Sequence, residues 1–337
     1  FILLVAASLL TYGYFVGHSP FADLFMIVVG LSVAAIPEGL PAVLTITLAV
    51  GVQAMARRNA IVRKLPAIET LGSVSVICTD KTGTLTRNEM MAASLATSDG
   101  VFTIGGEGYA PVGAVHAPGG DIIEAPARLL GEAARIAAIC TDASLHEIDH
   151  QGWRVEGDPM EGALIAFAGK VTGEGAAPCR EWRRRDVIPF DAAHRYMAVL
   201  AHDHDGNAGI FVKGAPEAVL ALSADERAPD GQSAPLNADR WHAAVEELAR
   251  DGQRVLALAV RNATPTMIDI ETSDLDGRLT FIGLVGLIDP PRVEAIAAVA
   301  ECHAAGIRVK MITGDHAATA RAIARQIGLV NTERVVT

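Results

Sequence analysis

The sequence predicts an α/β protein with a doubly wound parallel sheet, preceded by two apolar helices. Three observations lead to this prediction. Two apolar runs fill most of the first 56 residues, strand-like and helical stretches then alternate, and two of the strand-like runs lead directly into Thr/Gly turns. Half of the 337 residues are hydrophobic, and the mean hydropathy of +0.31 is high for a protein without membrane segments.

The charge and the cysteines exclude two classes of function. The net charge of −11 argues against a general nucleic-acid binder, because such proteins present clustered basic residues to the phosphates. The cysteines Cys78, Cys140, Cys179 and Cys302 are far apart and have neither CxxC nor Cys/His spacing. This pattern is typical of free thiols in a reducing compartment, and it favours neither a disulfide framework nor a zinc site.

The two apolar runs cover residues 1–17 and 24–56. The first has about the minimum length of a membrane-spanning helix, and the sequence begins inside it, as expected if it starts within such a helix. At ~1.5 Å per residue the second exceeds a hydrocarbon core of ~30 Å, so its last turns are expected to extend as a stalk. The alternative is a buried hairpin in a large soluble domain.

Basic residues after the second run predict the orientation of the chain. Arg57, Arg58, Arg63 and Lys64 assign that end to the cytoplasm by the positive-inside rule, and the link at 18–23 to the opposite side. We therefore expect an integral, multi-pass protein in contact with a lipid bilayer, with its α/β part in the cytoplasm. In a bacterium this would be the inner plasma membrane.

The rest of the sequence is typical of a soluble α/β protein. The run SVSVIC at 73–78 predicts a buried strand, and it ends in TDKTGTLT. A long middle section from about 95 to 278 contains Gly/Ala/Pro-rich loops and strand-like stretches. LTFIGLVGLIDPPR, a helix at 293–305, IRVKMITGD and a helix at 316–327 then predict a β–α–β–α order with right-handed crossovers in a parallel sheet.

Asp80 is the strongest candidate for a reacting group. It stands at the carboxyl end of a predicted strand, before a Thr/Gly turn, where doubly wound folds place their reactive groups. The amides of such a turn can bind phosphate oxygens while the Asp80 carboxylate attacks phosphorus, and Lys81 adds positive charge. A phosphoryl donor with Mg²⁺ is implied, because Mg²⁺ binds carboxylate and phosphate oxygens together.

The segment DKTGTLT resembles the phosphorylation signature of P-type ATPases, which belong to the haloacid-dehalogenase-like superfamily. The resemblance implies an aspartyl-phosphate on Asp80, with Thr82 helping to hold Mg²⁺ and phosphate. Related phosphatases carry a second Asp, a general acid/base, at the position of Thr82. Because Thr cannot act in that way near neutral pH, the acyl-phosphate is expected to persist, as a pump requires.

The segment MITGD is similar to a second part of the same family site. The resemblance implies that Thr313, Gly314 and Asp315 contact ATP or the phosphoryl group, and it is strengthened by the preceding DPPR at 289–292. Taken alone, TGD would be an ordinary strand-to-helix turn in which Asp315 caps the helix.

Two segments of the middle section resemble parts of the family's ATP pocket. KGAPE at 213–217 implies nucleotide binding by Lys213 and Gly214, although a plain turn with a helix cap is the alternative. GDPMEGAL at 157–164 implies that Glu161 contacts the adenine side. Met160 replaces the usual Thr there, so a hydroxyl contact is in doubt.

Two further segments complete the predicted nucleotide site. IPFDAAHRYM at 188–197 resembles the segment whose aromatic residue stacks on adenine, which implies Phe190. Arg195 stands where many relatives have Lys, so the charge remains but its geometry differs. Ala192 stands where an Arg is common. Arg254, in DGQRVLALA, matches the family Arg near the phosphates.

The string VAAIPEGLP at 33–41 is the most informative feature of the second apolar run. A carboxylate such as Glu38 at bilayer depth costs roughly 2.5–3.5 kcal/mol, so it indicates a function. Pro37 and Pro41, with Gly39 between them, are expected to unwind the helix and free carbonyl oxygens for a hard cation. A proline kink with Glu38 bonded to a neighbouring helix is the alternative.

The same string is similar to the fourth transmembrane helix of the calcium-pump branch. The resemblance implies cation ligands from the Glu38 side chain and from the carbonyls of Val33, Ala34 and Ile36. Heavy-metal pumps have a Cys-Pro motif at this place, which this sequence lacks. Ca²⁺ is therefore the favoured ion, and Na⁺, Mn²⁺ and H⁺ remain alternatives.

The resemblance implies a domain organisation for the whole sequence. Residues 1–17 and 24–56 correspond to the third and fourth membrane helices; 57–95 and 279–337 form a haloacid-dehalogenase-like phosphorylation domain, into which an α+β nucleotide-binding domain at 96–278 is inserted. The function implied is ATP-driven cation transport. A phosphatase and a non-catalytic ATP-binding module are the alternatives.

The family's chain is longer than this one, and several of its parts have no counterpart here. These are the actuator domain, the GDGxNDAPAL segment and the remaining membrane helices. We therefore expect that this piece alone does not transport ions.

Two weaker candidates are interpreted more simply. His202–Asp205 is interpreted as a solvated turn, not a metal site. The Arg183–Arg185 run is interpreted as an exposed charged edge, with an electrostatic contribution to ATP binding as the alternative.

Overall fold

The computed structural model describes residues 2–34, 39–64, 66–123, 127–148, 152–314 and 317–334. The chain divides into two compact units, Phe1–Ser75 and Val76–Thr337. The mixed α/β class predicted from the sequence is confirmed.

The first unit is helical. Its described helices are α1 (Ile2–Phe15), α2 (Phe21–Ala34), α3 (Leu40–Ala56) and α4 (Pro66–Gly72). A Cβ atom built on Gly13 would lie 2.5 Å from Leu24 Cδ2, so glycine allows α1 and α2 to approach closely. Hydroxyl groups in these helices donate to carbonyls four residues earlier, which satisfies them without water; they belong to Ser8, Thr11, Ser32, Thr45 and Thr47.

These helices are shorter than the runs predicted to span a membrane. Within the described ranges, no helix has both the length and the apolarity that a membrane crossing requires. The run at 24–56 contains two helices, α2 and α3, and Pro41 lies in the first turn of α3, where its missing N–H costs nothing. Val33 and Ala34 are the last residues of α2. Ile36 and Glu38 lie outside the described residues.

The second unit contains a parallel pair of strands, β1 (Val76–Asp80) and β14 (Arg308–Ile312). Two helices flank β14 in the chain, α9 (Val293–Ala304) and α10 (Ala317–Gln326). Leu85, Ile323 and Ile327 form a small buried cluster beneath the turn that follows β1, with Met311 of β14 packed against it. The Asp80 strand and the MITGD strand thus pair parallel, which agrees with the parallel sheet expected here.

A ten-stranded sheet dominates the described part of this unit. Eight of its strands follow the order β4-β3-β2-β13-β12-β9-β8-β7, each antiparallel to its neighbour, and two more strands, β10 and β11, extend from β13. A separate hairpin is formed by β5 and β6. The strands are β2 (Met91–Thr97), β3 (Gly100–Ile104), β4 (Val115–His116), β5 (Ser144–Ile148), β6 (Gly152–Glu156), β7 (Arg183–Ile188), β8 (Tyr196–His202), β9 (Ala208–Gly214), β10 (Ser223–Arg227), β11 (Ser233–Pro235), β12 (Arg254–Ala263) and β13 (Leu279–Ile288).

Helices cover both faces of this sheet. Successive side chains along its central strands point alternately into two apolar cores, one on each face. Phe211 of β9 belongs to the core beneath α5 (Arg128–Ile139) and α6 (Pro159–Thr172). Ile210 and Val212 belong to the core beneath α7 (Pro216–Leu222) and α8 (Ala238–Arg250), with Trp241 at its centre. Each large side chain fully buried in this way contributes about 1.5–3 kcal/mol.

The predicted parallel partner of Leu279–Ile288 was wrong. This strand pairs antiparallel with β2 and β12 instead of joining β1 and β14. Eight of its ten residues are buried, and a run buried on both faces has the same apolar pattern in the centre of either kind of sheet. The described residues contain two parallel pairs, β1 with β14 at Asp80 and β10 with β13, and the doubly wound sheet stays a prediction.

Candidate active site

Asp80 ends β1 and is exposed at the start of a tight turn, Lys81–Leu85. The backbone of Asp80 is extended (φ −68°, ψ 150°) and so is that of Thr82 (φ −73°, ψ 126°), whereas Gly83 is left-handed (φ 72°). Glycine is favoured at such a φ because a Cβ would approach the neighbouring backbone closely. The turn closes with a hydrogen bond from Thr86 N to Lys81 O (3.0 Å), which holds the backbone that follows Asp80 in one conformation.

The DPPR segment holds this turn from the far end of the sequence. The Thr86 hydroxyl donates to Asp289 Oδ2 (2.6 Å), and the Glu89 amide donates to Asp289 Oδ1 (3.3 Å). Arg292 also binds the turn: its Nε donates to Thr86 O and its amide donates to Leu85 O, both at 2.9 Å. Bonds to charged groups of this kind contribute roughly 1.5–3 kcal/mol each. Sequence reasoning had singled out DPPR without a role for Asp289 or Arg292.

The second predicted phosphate turn lies beside Asp80. Asp80 is in register with Ile312, the last residue of β14, so Thr313 and Gly314 follow at the same edge of the strand pair. Lys81 is buried. The structure thus brings together four of the predicted residues, Asp80, Lys81, Thr313 and Gly314, while Asp315 lies outside the described residues.

Lys213 and Glu161 form an ion pair in the predicted nucleotide site. Lys213 Nζ donates to Glu161 Oε1 at 2.6 Å, and their side chains are 9% and 17% exposed. Glu161 Oε2 accepts hydrogen bonds from the amides of Asp142 (2.8 Å) and Ala143 (3.0 Å). Asp158 caps the start of α6 through the Met160 amide (2.7 Å). Each oxygen of Glu161 is therefore occupied, and the ammonium is held between strand β9 and helix α6.

The thiol of Cys140 lies in the same region. Burial raises its pKa from 9.0 to about 12, and the positive charge of Lys213 opposes part of that rise. The thiol is fully buried and therefore protonated at physiological pH. Cys140 thus packs as an apolar side chain beside the ion pair, which is one reason why the ammonium has little access to water.

Phe190 and Arg195 lie on the tight loop between β7 and β8. Phe190 is 62% exposed, so its ring is accessible to a stacking partner. Arg195 has a left-handed backbone (φ 59°), and its Nη1 donates to Glu217 Oε1 at 2.5 Å. A Cβ on Gly214 would lie 2.6 Å from Arg195 O, so glycine is needed where β9 passes this loop.

Most of the predicted nucleotide residues lie at one edge of the ten-stranded sheet, where β9 ends and β8 and β12 begin. Gly214, at the end of β9, pairs with Tyr196 at the start of β8 and with Ala257 near the start of β12. Arg254, the first residue of β12, pairs with Leu287, which directly precedes Ile288 and Asp289. Lys213 pairs with Leu258, which pairs with Gly283, so the end of β13 lies two strands (about 10 Å) across the sheet and five residues (about 17 Å) along it from Lys213. The nucleotide residues and the clamp of the Asp80 turn therefore lie toward the same edge of the sheet, where these strands end.

The Mg²⁺ expected from the sequence fits the residues present only in part. In the described ranges no group of three His, Cys, Asp or Glu side chains could hold a metal ion. Mg²⁺ keeps several waters and binds proteins through one or two carboxylates plus substrate phosphates, so an exposed Asp80 with Thr82 nearby is a suitable partial donor set.

The His202–Asp205 stretch has the character of a turn. Asp203 accepts from the Asn207 amide (2.8 Å) and side chain (2.7 Å), which lowers the pKa of the Asp203 carboxyl. These bonds occupy the carboxylate within its own loop, as predicted for a solvated turn.

A family model described as "P-type ATPase, cytoplasmic domain N" matches residues 130–294. The match covers α5, α6 and strands β5 to β13, the elements around Lys213 and Glu161. The chain belongs to the P-type ATPase family. This membership agrees with the resemblance that the segment DKTGTLT carries.

Curated relatives are similar to this P-type ATPase chain along almost its whole length. The cation-transporting ATPase pma1 of Synechocystis is 44% identical over 97% of the chain, and a calcium-transporting ATPase of Bacillus subtilis is 38% identical over 98%. The human calcium-transporting ATPase type 2C member 1 is 41% identical over 91%. The matched region covers 36%, 37% and 32% of these relatives, so the chain spans about a third of their length.

Proposed function

We propose that the protein carrying this chain transports a cation across a membrane at the expense of ATP, through an aspartyl-phosphate on Asp80. The observation that carries the proposal is that the Lys213–Glu161 ion pair and the Asp289 clamp of the Asp80 turn lie toward the same edge of one sheet. A nucleotide held at Lys213 would have its phosphates directed along that edge. The family supports the same assignment.

The chemical step transfers the γ-phosphoryl group of ATP to Asp80. A carboxylate oxygen of Asp80 forms a bond to the γ-phosphorus while the bond from that phosphorus to the β,γ-bridging oxygen breaks, and ADP leaves with the electron pair. In this proposal Lys81 neutralises charge on the transferring group, Thr313 and Gly314 donate hydrogen bonds to its oxygens, and Asp315 contacts ATP. Thr82, together with Asp80, would hold Mg²⁺, which when bound neutralises charge on the phosphates.

The nucleotide is bound by residues of the inserted domain at 96–278. Phe190 would stack on adenine, and its exposed ring supports that role. Lys213 and Gly214 would line the pocket, with Glu161 on the adenine side. Arg195 and Arg254 would supply charge near the phosphates, for which their exposed positions at the sheet edge are suitable.

The haloacid-dehalogenase-like phosphorylation domain would comprise residues 57–95 and 279–337. The parallel pairing of β1 with β14 supports it, since the two phosphate turns then meet at one edge. The aspartyl-phosphate would last because Thr82 offers no general acid/base for its hydrolysis. A lasting intermediate can be coupled to a change elsewhere in the protein.

The transported ion would bind in the second apolar run, which would cross the bilayer as the first run does. Glu38 with the carbonyl oxygens of Val33, Ala34 and Ile36 is an all-oxygen donor set, which suits a hard cation. Ca²⁺ is favoured because two of the relatives are named calcium-transporting ATPases. The cation named for the Synechocystis relative is not specified, so Na⁺, Mn²⁺ and H⁺ are the competing ions.

Ion-dependent ATP hydrolysis tests this proposal. Membranes containing the full-length protein are assayed with Ca²⁺, Mn²⁺ or Na⁺ added singly to a chelated background. We expect Ca²⁺ to stimulate hydrolysis and Glu38→Gln to abolish the stimulation. Hydrolysis that another ion stimulates and Ca²⁺ does not would contradict the choice of ion. Hydrolysis that Asp80→Asn leaves unchanged would contradict the proposal that the protein is a pump phosphorylated on Asp80.

A further inference from the structure

Arg184 lies in a run of three arginines on β7, yet its contacts differ from those of its neighbours. Its Nε donates to Ile139 O (2.8 Å), its Nη2 to Thr141 O (2.5 Å), and its Nη1 to Asp142 Oδ1 (2.7 Å). Ile139 is the last residue of α5, so the guanidinium occupies the carbonyl end of that helix, where a cation is favoured. The run is exposed, as predicted, but Arg184 also makes specific contacts that a merely charged edge would not require.

The turn that Arg184 holds is the turn that holds Glu161. Arg184 contacts residues 139, 141 and 142, and the next two amides along the backbone, those of Asp142 and Ala143, both donate to Glu161 Oε2. The other oxygen of Glu161 accepts from Lys213 Nζ. A continuous series of hydrogen bonds thus runs from the Arg184 guanidinium through the 139–143 turn and Glu161 to the Lys213 ammonium.

The neighbours of Arg184 provide a natural comparison. Arg183 precedes it in the regular part of the strand and therefore points to the opposite face of the sheet, whereas Arg185 lies at a register shift between Arg184 and Asp186. Arg183 and Arg185 are both exposed, and within the described part of the chain neither side chain makes a hydrogen bond or an ion pair. All three carry the same charge in the same strand, so a general electrostatic effect and a specific contact predict different outcomes for their substitution.

We propose that Arg184 is a positioning residue of the nucleotide site, which fixes the Lys213 ammonium by way of the 139–143 turn and Glu161. The inference rests on the proposed nucleotide role of Lys213. Arg184 itself does not touch the nucleotide in this account. Its planar guanidinium bridges three acceptors at once, which the single ammonium of a lysine cannot do in the same geometry.

A double-substitution cycle in ATP binding tests the proposal. The affinity of the purified full chain for ATP is measured by calorimetry for Arg184→Ala, Lys213→Ala and the double variant, with Arg183→Ala as the matched control. We expect Arg184→Ala to raise the Kd of ATP about tenfold, the loss that one charge-assisted contact typically causes, and Arg183→Ala to change it less than about twofold. In the Lys213→Ala background, Arg184→Ala should have almost no further effect.

The position of Lys213 is also measured without ATP. The rate at which acetic anhydride acetylates Lys213 is followed by peptide mass spectrometry in the wild type, Arg184→Ala, Arg184→Lys and Arg183→Ala. We expect about a fivefold or greater increase in Arg184→Ala, a smaller one in Arg184→Lys and none in Arg183→Ala, because release of the turn exposes the ammonium. Asp142→Asn keeps the amide that binds Glu161 and serves as a milder variant if Arg184→Ala does not fold.

The two measurements separate failure of this inference from failure of the proposed function. Loss of ATP affinity that is the same with and without Lys213, or unchanged Lys213 acetylation in both Arg184→Ala and Asp142→Asn, overturns the positioning role. If Lys213→Ala leaves the Kd of ATP unchanged, the nucleotide role of Lys213 fails, and the acetylation rates still decide whether Arg184 positions that ammonium.

Discussion

At the scale of single residues, the site depends on buried charges that are fully paired. Lys213 and Glu161 are nearly enclosed, and each oxygen of the carboxylate has a donor. Water cannot replace a missing partner at such a position, so the pair specifies where the ammonium lies more than it adds to stability. The exposed pair of Arg195 with Glu217 lacks this constraint.

This difference predicts the effect of removing one charge from each pair. Glu161→Gln should lower the free energy of unfolding by about 3 kcal/mol, because it leaves the Lys213 ammonium buried without a counter-charge. Glu217→Gln, whose pair is 51% and 53% exposed, should lower it by less than about 1 kcal/mol. Urea denaturation of both variants measures the two values. Equal losses would show that Lys213 reaches solvent in the folded protein.

At the scale of elements, the Asp80 turn depends on a contact across 203 positions of sequence. β1 and its turn are short, and β1 pairs with β14 alone among the described strands. The hydrogen bonds of Asp289 and Arg292 to the turn therefore supply much of what keeps the Asp80 carboxylate in place. A nucleophile displaced by about 1 Å can lose up to 10²-fold in rate.

Asp289→Ala is therefore expected to slow phosphorylation while leaving nucleotide affinity intact. The Thr86 hydroxyl and the Glu89 amide lose their acceptor, whereas Lys213 and Glu161 are untouched. We expect about a tenfold lower rate of phosphoenzyme formation and an unchanged Kd for ATP in the full-length protein. Asp269→Ala, which removes an exposed carboxylate, is the control. A weaker affinity with an unchanged rate would assign Asp289 to the nucleotide instead.

The sequence predicts the chemistry of this site better than its connections. The strands before Asp80 and Thr313 follow from local patterns, which periodicity and turn residues reveal, whereas the nucleotide motifs follow from the resemblance to the family. The sheet to which Leu279–Ile288 belongs does not follow from such patterns, because a doubly buried strand has the same composition in either setting. Nor does the role of Arg184, since two of its three acceptors are backbone carbonyls, which carry no sequence signal, and the third, the Asp142 carboxylate, lies 42 positions away.

At the scale of the whole molecule, burial of two thiols predicts how stability changes with pH. Burial raises the pKa values of Cys140 and Cys179 from 9.0 to about 12. The unfolded chain therefore releases these protons first, so stability is full below pH 9 and falls as pH rises toward 12. Tyr109 and Tyr196, whose pKa values are also raised by burial, act in the same direction.

Replacing both buried thiols should therefore reduce the alkaline loss. The Cys140→Ala/Cys179→Ala variant is expected to have a lower Tm at pH 7.5 because of the cavities, and a smaller drop in Tm between pH 8 and pH 10.5 than the wild type. Scanning calorimetry at several pH values gives both quantities. Cys78→Ala, at an exposed position, should leave the slope unchanged, and an unaltered slope in the double variant would contradict the assignment.

The central claim concerns Asp80, and one measurement tests it most directly. Membranes with the full-length protein are incubated briefly with ATP labelled on the γ-phosphate, quenched in acid and mapped by peptide mass spectrometry. The account predicts acid-stable, hydroxylamine-labile label on the peptide containing Asp80, and its complete loss in Asp80→Asn. Label that persists in Asp80→Asn, or that maps to another residue, would contradict it.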